Sequence, residues 1–310
     1  MSVVCMTMIK ISGLTKNYNK VPVVKNLNLD IKNGEIVGFA GLNGAGKSTT
    51  IRIASGIIFP SSGTVTVDEK DIVSEKVDAS KYIGWVPELP NFEPRGKSVS
   101  LLKYYAGFFG IGAKEAEQKA EKLLKQFDIW NARKKHLQDY SQGMKKRFSI
   151  AAAMIGNPNN YLFDETLNGL DPGGVKEMRD LMLSMKKDGK AVFLSSHILS
   201  ELQNVADRIA IIKNGELIKI LKHSDLDNLG ETRIIVDVKN PDDKIFNILN
   251  KFGNAHESNG DILIEKITLP VDDIYKINEE LVKAGYKVGN VSAEGENLEE
   301  YFLKLVGGSI

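Results

Sequence analysis

The eight residues Gly41-Leu42-Asn43-Gly44-Ala45-Gly46-Lys47-Ser48 satisfy every position of G-x-x-x-x-G-K-[ST]. The pattern constrains the fold because it needs a strand before it and a helix after it, and both are legible. Glu35-Ile36-Val37-Gly38-Phe39-Ala40 is a short apolar run with the look of a strand, and Thr49-Thr50-Ile51-Arg52-Ile53-Ala54 continues as a helix would. A triphosphate needs several backbone N–H donors converging on its oxygens, and glycine lets the backbone approach without a Cβ in the way. The loop then runs into a helix N-terminus, where unpaired N–H groups and the positive dipole end favour anions. The pattern therefore predicts a nucleotide site built by residues 41–49. Lys47 is expected to reach the β- and γ-phosphates, and Ser48 to offer its hydroxyl to Mg²⁺.

Composition narrows the class. A length of 310 residues fits about two domains. The 41 basic and 40 acidic side chains leave a net charge of +1, so there is no bulk electrostatic case for nucleic acid or for an anionic membrane surface. The single cysteine, Cys5, excludes an internal disulfide and points to a reducing compartment. No run approaches the roughly 20 apolar residues of a membrane-spanning helix. The stretch from Met1 to Met8 lacks the basic-then-apolar order of a signal peptide. The expectation is a cytoplasmic protein that meets a membrane only through a partner.

Along the chain, strands alternate with helices as far as residue 222, which predicts a mainly parallel α/β sheet covered on both faces. Within it, residues 89–157 change texture to helix, with aromatic Tyr104, Tyr105, Phe108 and Phe109 in the first. A run at Tyr161-Leu162-Phe163 ends in Asp164-Glu165, and another at Ala191-Val192-Phe193-Leu194 runs into Ser195-Ser196-His197. An Asn214-Gly215 turn predicts a hairpin. From 223 to 310 the order becomes β-α-β-β-α-β plus a helix, with a hairpin around Asn259-Gly260. That order predicts a small ferredoxin-like α+β domain.

Taken together, the glycine-rich loop, Tyr140-Ser141-Gln142-Gly143-Met144, the run from Tyr161 to Pro172, His197 and Tyr18 resemble the ATP-binding cassette (ABC) family, in its motif order. The resemblance covers roughly the first 220 residues. It implies that Tyr18 stacks on adenine and that Asp164 is the Walker B acid holding Mg²⁺. It further implies that Glu165 activates the attacking water, that His197 touches the γ-phosphate, and that Leu170-Asp171 couples the two sites of a dimer. Two adjacent carboxylates ending an apolar strand are awkward to bury without function, which supports the acidic pair independently. Ser141 and Gly143 match the signature motif that meets the nucleotide, whereas Gln142 and Met144 depart from it. Thr166 stands where the family usually has Pro. Glu88, in Trp85-Val86-Pro87-Glu88, stands where the family usually has a Gln that meets Mg²⁺ and the water. Pro-Glu at this point and the ending Asn297-Leu298-Glu299-Glu300-Tyr301-Phe302-Leu303 resemble the branch serving exporters of drugs, antibiotics and polysaccharides.

The resemblance thus implies an ATPase subunit that binds ATP and Mg²⁺. It would work as a homodimer or with a paired cassette, beneath a separate transmembrane permease and peripheral at the inner face of the membrane. The stretch from Trp85 to Phe109 is the expected docking surface. The alternative is a soluble cassette acting on a non-transport partner. A P-loop kinase or GTPase would leave Ser141–Met144 and His197 unexplained.

Overall fold

The structure, a computed structural model, describes residues 7–229, 232–258, 261–270, 273–295 and 298–307. It divides into two units, Met1–His223 and Ser224–Ile310. Cys5 lies outside the described residues.

The first unit opens with β1 (Thr7–Tyr18) and β2 (Val21–Lys32). They are joined by Asn19 and Lys20, both at positive φ, as a two-residue turn matched to strand twist requires. β3 (Ile36–Ala40) feeds the glycine-rich loop and α1 (Lys47–Ala54). β4 (Ser62–Val67) and β5 (Lys70–Asp71) return to the first sheet, whose order is β2-β1-β4-β5. After α2 (Lys76–Ser80) and β6 (Ile83–Val86) come the three helices α3 (Ser98–Phe108), α4 (Ala113–Gln126) and α5 (Gln142–Met154). β7 (Asn160–Asp164), α6 (Pro172–Lys187), β8 (Ala191–Ser196), α7 (Leu199–Val205), β9 (Arg208–Lys213) and β10 (Glu216–Lys222) complete it. The second sheet has order β10-β9-β3-β8-β7-β6 and is parallel except for β10.

Every residue of β3, β7 and β8 is buried, which is why these strands read as continuous apolar runs without alternation. Their pairing aligns the strand ends. Ala40 is opposite Ser196, and Asp164 is opposite Ser195. The loops after β3, β7 and β8 therefore leave one edge of the sheet side by side, the edge where parallel α/β sheets hold ligands. The main core contains Ile9, Ile31, Val65, Phe39, Ile51 and Phe193, with the Phe39 and Phe193 rings 5.2 Å apart. The three helices carry a core of their own, including Leu102, Ala106, Leu124 and Phe148.

Two elements differ from expectation by being present at all. α2 has five residues and β5 two, too short for any periodicity to register. α6 begins at Pro172, because Asp171 caps it by accepting from the Gly174 N–H at 2.9 Å while proline fills the first turn. Among the described residues, no helix is long and apolar enough to cross a membrane.

The second unit comprises β11 (Arg233–Lys239), α8 (Lys244–Leu249), β12 (Asn254–Ser258), β13 (Asp261–Glu265), α9 (Tyr275–Lys283), β14 (Lys287–Glu294) and α10 (Leu298–Val306). Its sheet is antiparallel, in the order β12-β13-β11-β14. That is the strand arrangement of the split β-α-β unit, closed over Ile234, Val236, Ile264, Ile277 and Leu281. The expected turn at Asn259-Gly260 lies outside the described residues.

Phe193→Ala should destabilise the first unit by about 3–5 kcal/mol, because the ring is fully buried between packed neighbours. A urea titration would register this as a lower midpoint, and an unchanged midpoint would refute the inter-sheet core.

Candidate functional site

The loop after β3 is packed on one side and open on the other. Gly46 sits at φ 108°, and a Cβ there would meet the Val23 carbonyl at 2.7 Å, so only glycine fits. Gly44, at φ 80°, has nothing within 4 Å of where its Cβ would lie. No side chain caps the first turn of α1, which leaves its N–H groups for an anion. A pocket of about 270 Å³ lies on this face, lined by Asn43, Gly44, Gly46, Lys47, Ser48 and Thr49 together with Val23, Glu88, Glu165, Asn168 and His197.

At its floor stands a buried ion pair. Lys47 is 5% exposed; its Nζ donates to the Gly41 carbonyl at 2.7 Å and lies 3.1 Å from Glu165 Oε1. Glu165 is 6% exposed, and its Oε2 accepts from Asn168 Nδ2 at 3.0 Å and lies 2.9 Å from His197 Nδ1. Burial pushes the Glu165 carboxyl up, but the His197 hydrogen bond, the Lys47 charge and the Lys47 and Asn168 hydrogen bonds outweigh it, so it titrates below its ordinary value. With Nδ1–H donated to Glu165, the free ring nitrogen of His197 is Nε2.

Glu165 has φ 48°, the left-handed region, where the chain turns sharply out of β7. Ser195 on β8 holds that turn. Its Oγ accepts from the Glu165 N–H at 2.9 Å and donates to Asp164 Oδ1 at 3.0 Å, so one hydroxyl ties both acids to the neighbouring strand. Asp164 is fully buried, and its Oδ2 has no hydrogen-bond partner, with Arg52 Nε 3.8 Å away. A buried carboxylate oxygen without a donor is costly in a closed protein and suits a hydrated cation. Ser48 and Glu88 line the pocket, while Asp164 lies buried at the end of β7 and outside that lining; each offers a hard oxygen donor of the kind Mg²⁺ takes. Among the described residues no cluster of three His, Cys, Asp or Glu side chains forms a metal cage.

Other expected residues are not brought to this pocket. Tyr18 ends β1, 45% exposed, with Lys16 Nζ 5.0 Å from its ring centroid, and does not line it. Ser141 caps α5 by accepting from the Met144 N–H at 3.3 Å; it and Gly143 are exposed and do not line the pocket of their own chain. Gly41 and Leu42 contribute carbonyls to Lys47, and Ala45 is buried beneath the loop. Asn168 and Ser195 carry contacts that sequence reasoning missed. Ser195 was in view beside His197, but its role depends on β7 and β8 being neighbours.

A second hollow, an apolar groove of about 650 Å³, runs between Trp85, Phe92, Tyr105, Phe108 and Phe109, with Lys76 and Lys81 among its lining. The aromatic stretch divides here. Tyr105 and Phe109 pack against the helical core, while Tyr104 and Phe108 are exposed, their rings edge-on at 5.0 Å.

Residues 24–168 match the protein family described as ABC transporter. The chain is 33% identical over 304 residues to the bacitracin transport ATP-binding protein BcrA of Bacillus licheniformis, covering 97% of this chain and 98% of that one. It is 33% identical over 224 residues to the lantibiotic transport ATP-binding protein SrtF of Streptococcus pyogenes, covering 72% of this chain and 95% of the relative. Among solved structures, the ATP-binding subunit of an ABC transporter superposes with a TM-score of 0.67 at 27% identity, over 71% of this chain and 92% of that one. The dimeric post-hydrolysis cassette MJ0796 bound to ADP and Pi gives 0.64 at 26% identity, over 70% and 99%.

Because Glu165 titrates lower when folded than its ordinary 4.5, its ionised form contributes stability above that value and loses it as pH falls through the folded value. Glu165→Gln should therefore flatten the acid limb of unfolding free energy against pH below about 4.5. Identical slopes in the two proteins would show that the carboxyl is not held low.

Proposed function

The chain belongs to the ABC transporter family as an ATP-hydrolysing, nucleotide-binding subunit, and we propose that it powers an exporter as one half of a closing cassette dimer. The observation that carries this reading is the convergence of Lys47, Glu165, Asn168 and His197 on the glycine-loop pocket, with Ser141 and Gly143 exposed elsewhere on the same chain. A pocket that gathers Glu165 but not the chain's own Ser141 and Gly143 fits one half of an intermolecular site. The solved relative bound to ADP and Pi is dimeric, which supports the same arrangement. Two protomers would pack head to tail, each α5 N-terminus meeting the phosphates held by the other's loop, in a closed two-fold assembly.

Lys47 pairs with Glu165 across 3.1 Å. With ATP bound, Lys47 would turn to the β- and γ-phosphates, leaving Glu165 ionised and oriented by His197 and Asn168. It then accepts a proton from the attacking water, whose oxygen bonds to the γ-phosphorus as ADP leaves. Ser48, Asp164 and Glu88 would hold Mg²⁺, which when bound neutralises phosphate charge and draws electron density from the γ-phosphate. Tyr18 would stack on adenine. Closure is favoured while the phosphates contact both protomers and is released when hydrolysis removes that bridge.

The apolar groove suits a helix of a separate permease, and it is the docking site we infer. The relatives named for bacitracin and lantibiotic transport, together with the linearmycin resistance protein LnrL of Bacillus subtilis, at 28% identity over 98% of this chain, support an antibiotic-type cargo. No observation favours a soluble cassette with a non-transport partner.

Glu165→Gln should stop turnover and yield an ATP-stable dimer on size exclusion; continued hydrolysis would overturn the base assignment. Lys47→Ala should abolish binding of a fluorescent ATP analogue, and unaltered binding would sink the role given to the loop. Phe108→Glu should cost the chain its co-purification with a polytopic membrane protein from solubilised membranes while its thermal unfolding stays in place. Retention of that partner would move the docking site elsewhere.

A further inference from the structure

Among the described residues two lysines are buried, Lys47 and Lys146. The first has the ion pair described above. The second, 7% exposed on α5, has no carboxylate within ion-pairing distance among the described residues; its ammonium donates to the main-chain carbonyl of Asn168. A buried ammonium is costly, and a methionine of similar length would pack as well without the penalty. Its position explains its charge. Asn168 is the residue whose amide donates to Glu165 Oε2 at 3.0 Å, and the other end of that amide, Oδ1, is buried without a partner. The Asn168 side chain is thus oriented by Glu165 at one end and by the backbone that Lys146 grips at the other. Burial lowers the proton affinity of Lys146, and the negative charge of Glu88 acts in the opposite direction. Glu88 and Asn168 both line the nucleotide pocket.

We propose that Lys146 is a positioning residue for hydrolysis: from α5 it grips the Asn168 carbonyl and so anchors the loop whose amide seats Glu165. The inference rests on the reading of Glu165 as the base. The same helix carries Ser141 at its N-terminus. Lys146 therefore links the segment offered to the partner's nucleotide with the base that acts on the chain's own.

The test is steady-state hydrolysis by the full chain over a range of Mg²⁺-ATP up to saturation, with Lys146→Met, Lys146→Arg, Lys146→Gln, Asn168→Ala, the Lys146→Gln/Asn168→Ala pair and Glu165→Gln. Lys146→Met should lower kcat about tenfold or more with KM within about threefold, and Lys146→Arg should restore most of the loss, since only seating of the base is disturbed. Lys146→Gln alone should fall similarly, and adding it to Asn168→Ala should cost little beyond the larger single loss, a non-additivity expected of two residues that act through one contact. A normal kcat in Lys146→Met, or a loss confined to KM and thermal stability, overturns the proposal. If Lys146→Met does not fold, the cycle decides alone, and strictly multiplicative losses sink it. A dead Glu165→Gln beside a normal Lys146→Met places the failure at Lys146, whereas an active Glu165→Gln removes the base reading and this proposal with it.

Discussion

The buried contact between Lys47 and Glu165 is the interaction on which the rest of the first unit depends. Two opposite charges almost sealed from water are costly to desolvate, and their attraction offsets that only when the remaining hydrogen-bonding capacity is filled. Here the Gly41 and Leu42 carbonyls serve the lysine, while His197 and Asn168 serve the carboxylate. Those groups come from the loops after β3, β7 and β8, which are far apart in sequence. They meet because β8 lies between β3 and β7 in a parallel sheet, so that three chain segments leave the same edge in register. The sheet order is therefore a requirement of the site as well as a solution to burying apolar strands.

Much of this was legible in the residues because it is local. Continuous apolar runs marked β3, β7 and β8, the glycine pattern marked the loop, and Asn214-Gly215, both at positive φ, marked its hairpin. What was not legible depends on partners brought together by the fold. Lys146 is one basic residue among 41 until α5 buries it against Asn168. Ser195 reads as a strand end until β7 pairs with β8. The left-handed φ of Glu165 carries no sequence sign, since glutamate is not a residue that favours it. The missed α2 and β5 are held by tertiary packing and are too short to show a period. Ser141, Gly143 and Tyr18 were legible as motif residues, yet they do not line the pocket, because a motif marks residue types and spacing without fixing which cavity they meet.

Glu88 lines the phosphate pocket, where a carboxylate adds like charge. Its charge is felt by the buried Lys146 ammonium of α5, opposing the burial that lowers that group's proton affinity. The second unit solves a simpler problem, closing one antiparallel sheet over Ile234, Val236 and Ile264.

The hydroxyl of Ser195 has a mechanical effect as well as a bonding one. By accepting from the Glu165 backbone and donating to the Asp164 carboxylate, it makes two neighbouring acids one body. Neither can be displaced without tugging the other through the same oxygen. Disorder entering at Asp164 would arrive at Glu165, and a misplaced Glu165 would loosen Asp164. Such a linkage leaves few half-competent arrangements: the catalytic edge of the sheet is either assembled or idle, which is the behaviour wanted of an engine that must not burn fuel between strokes.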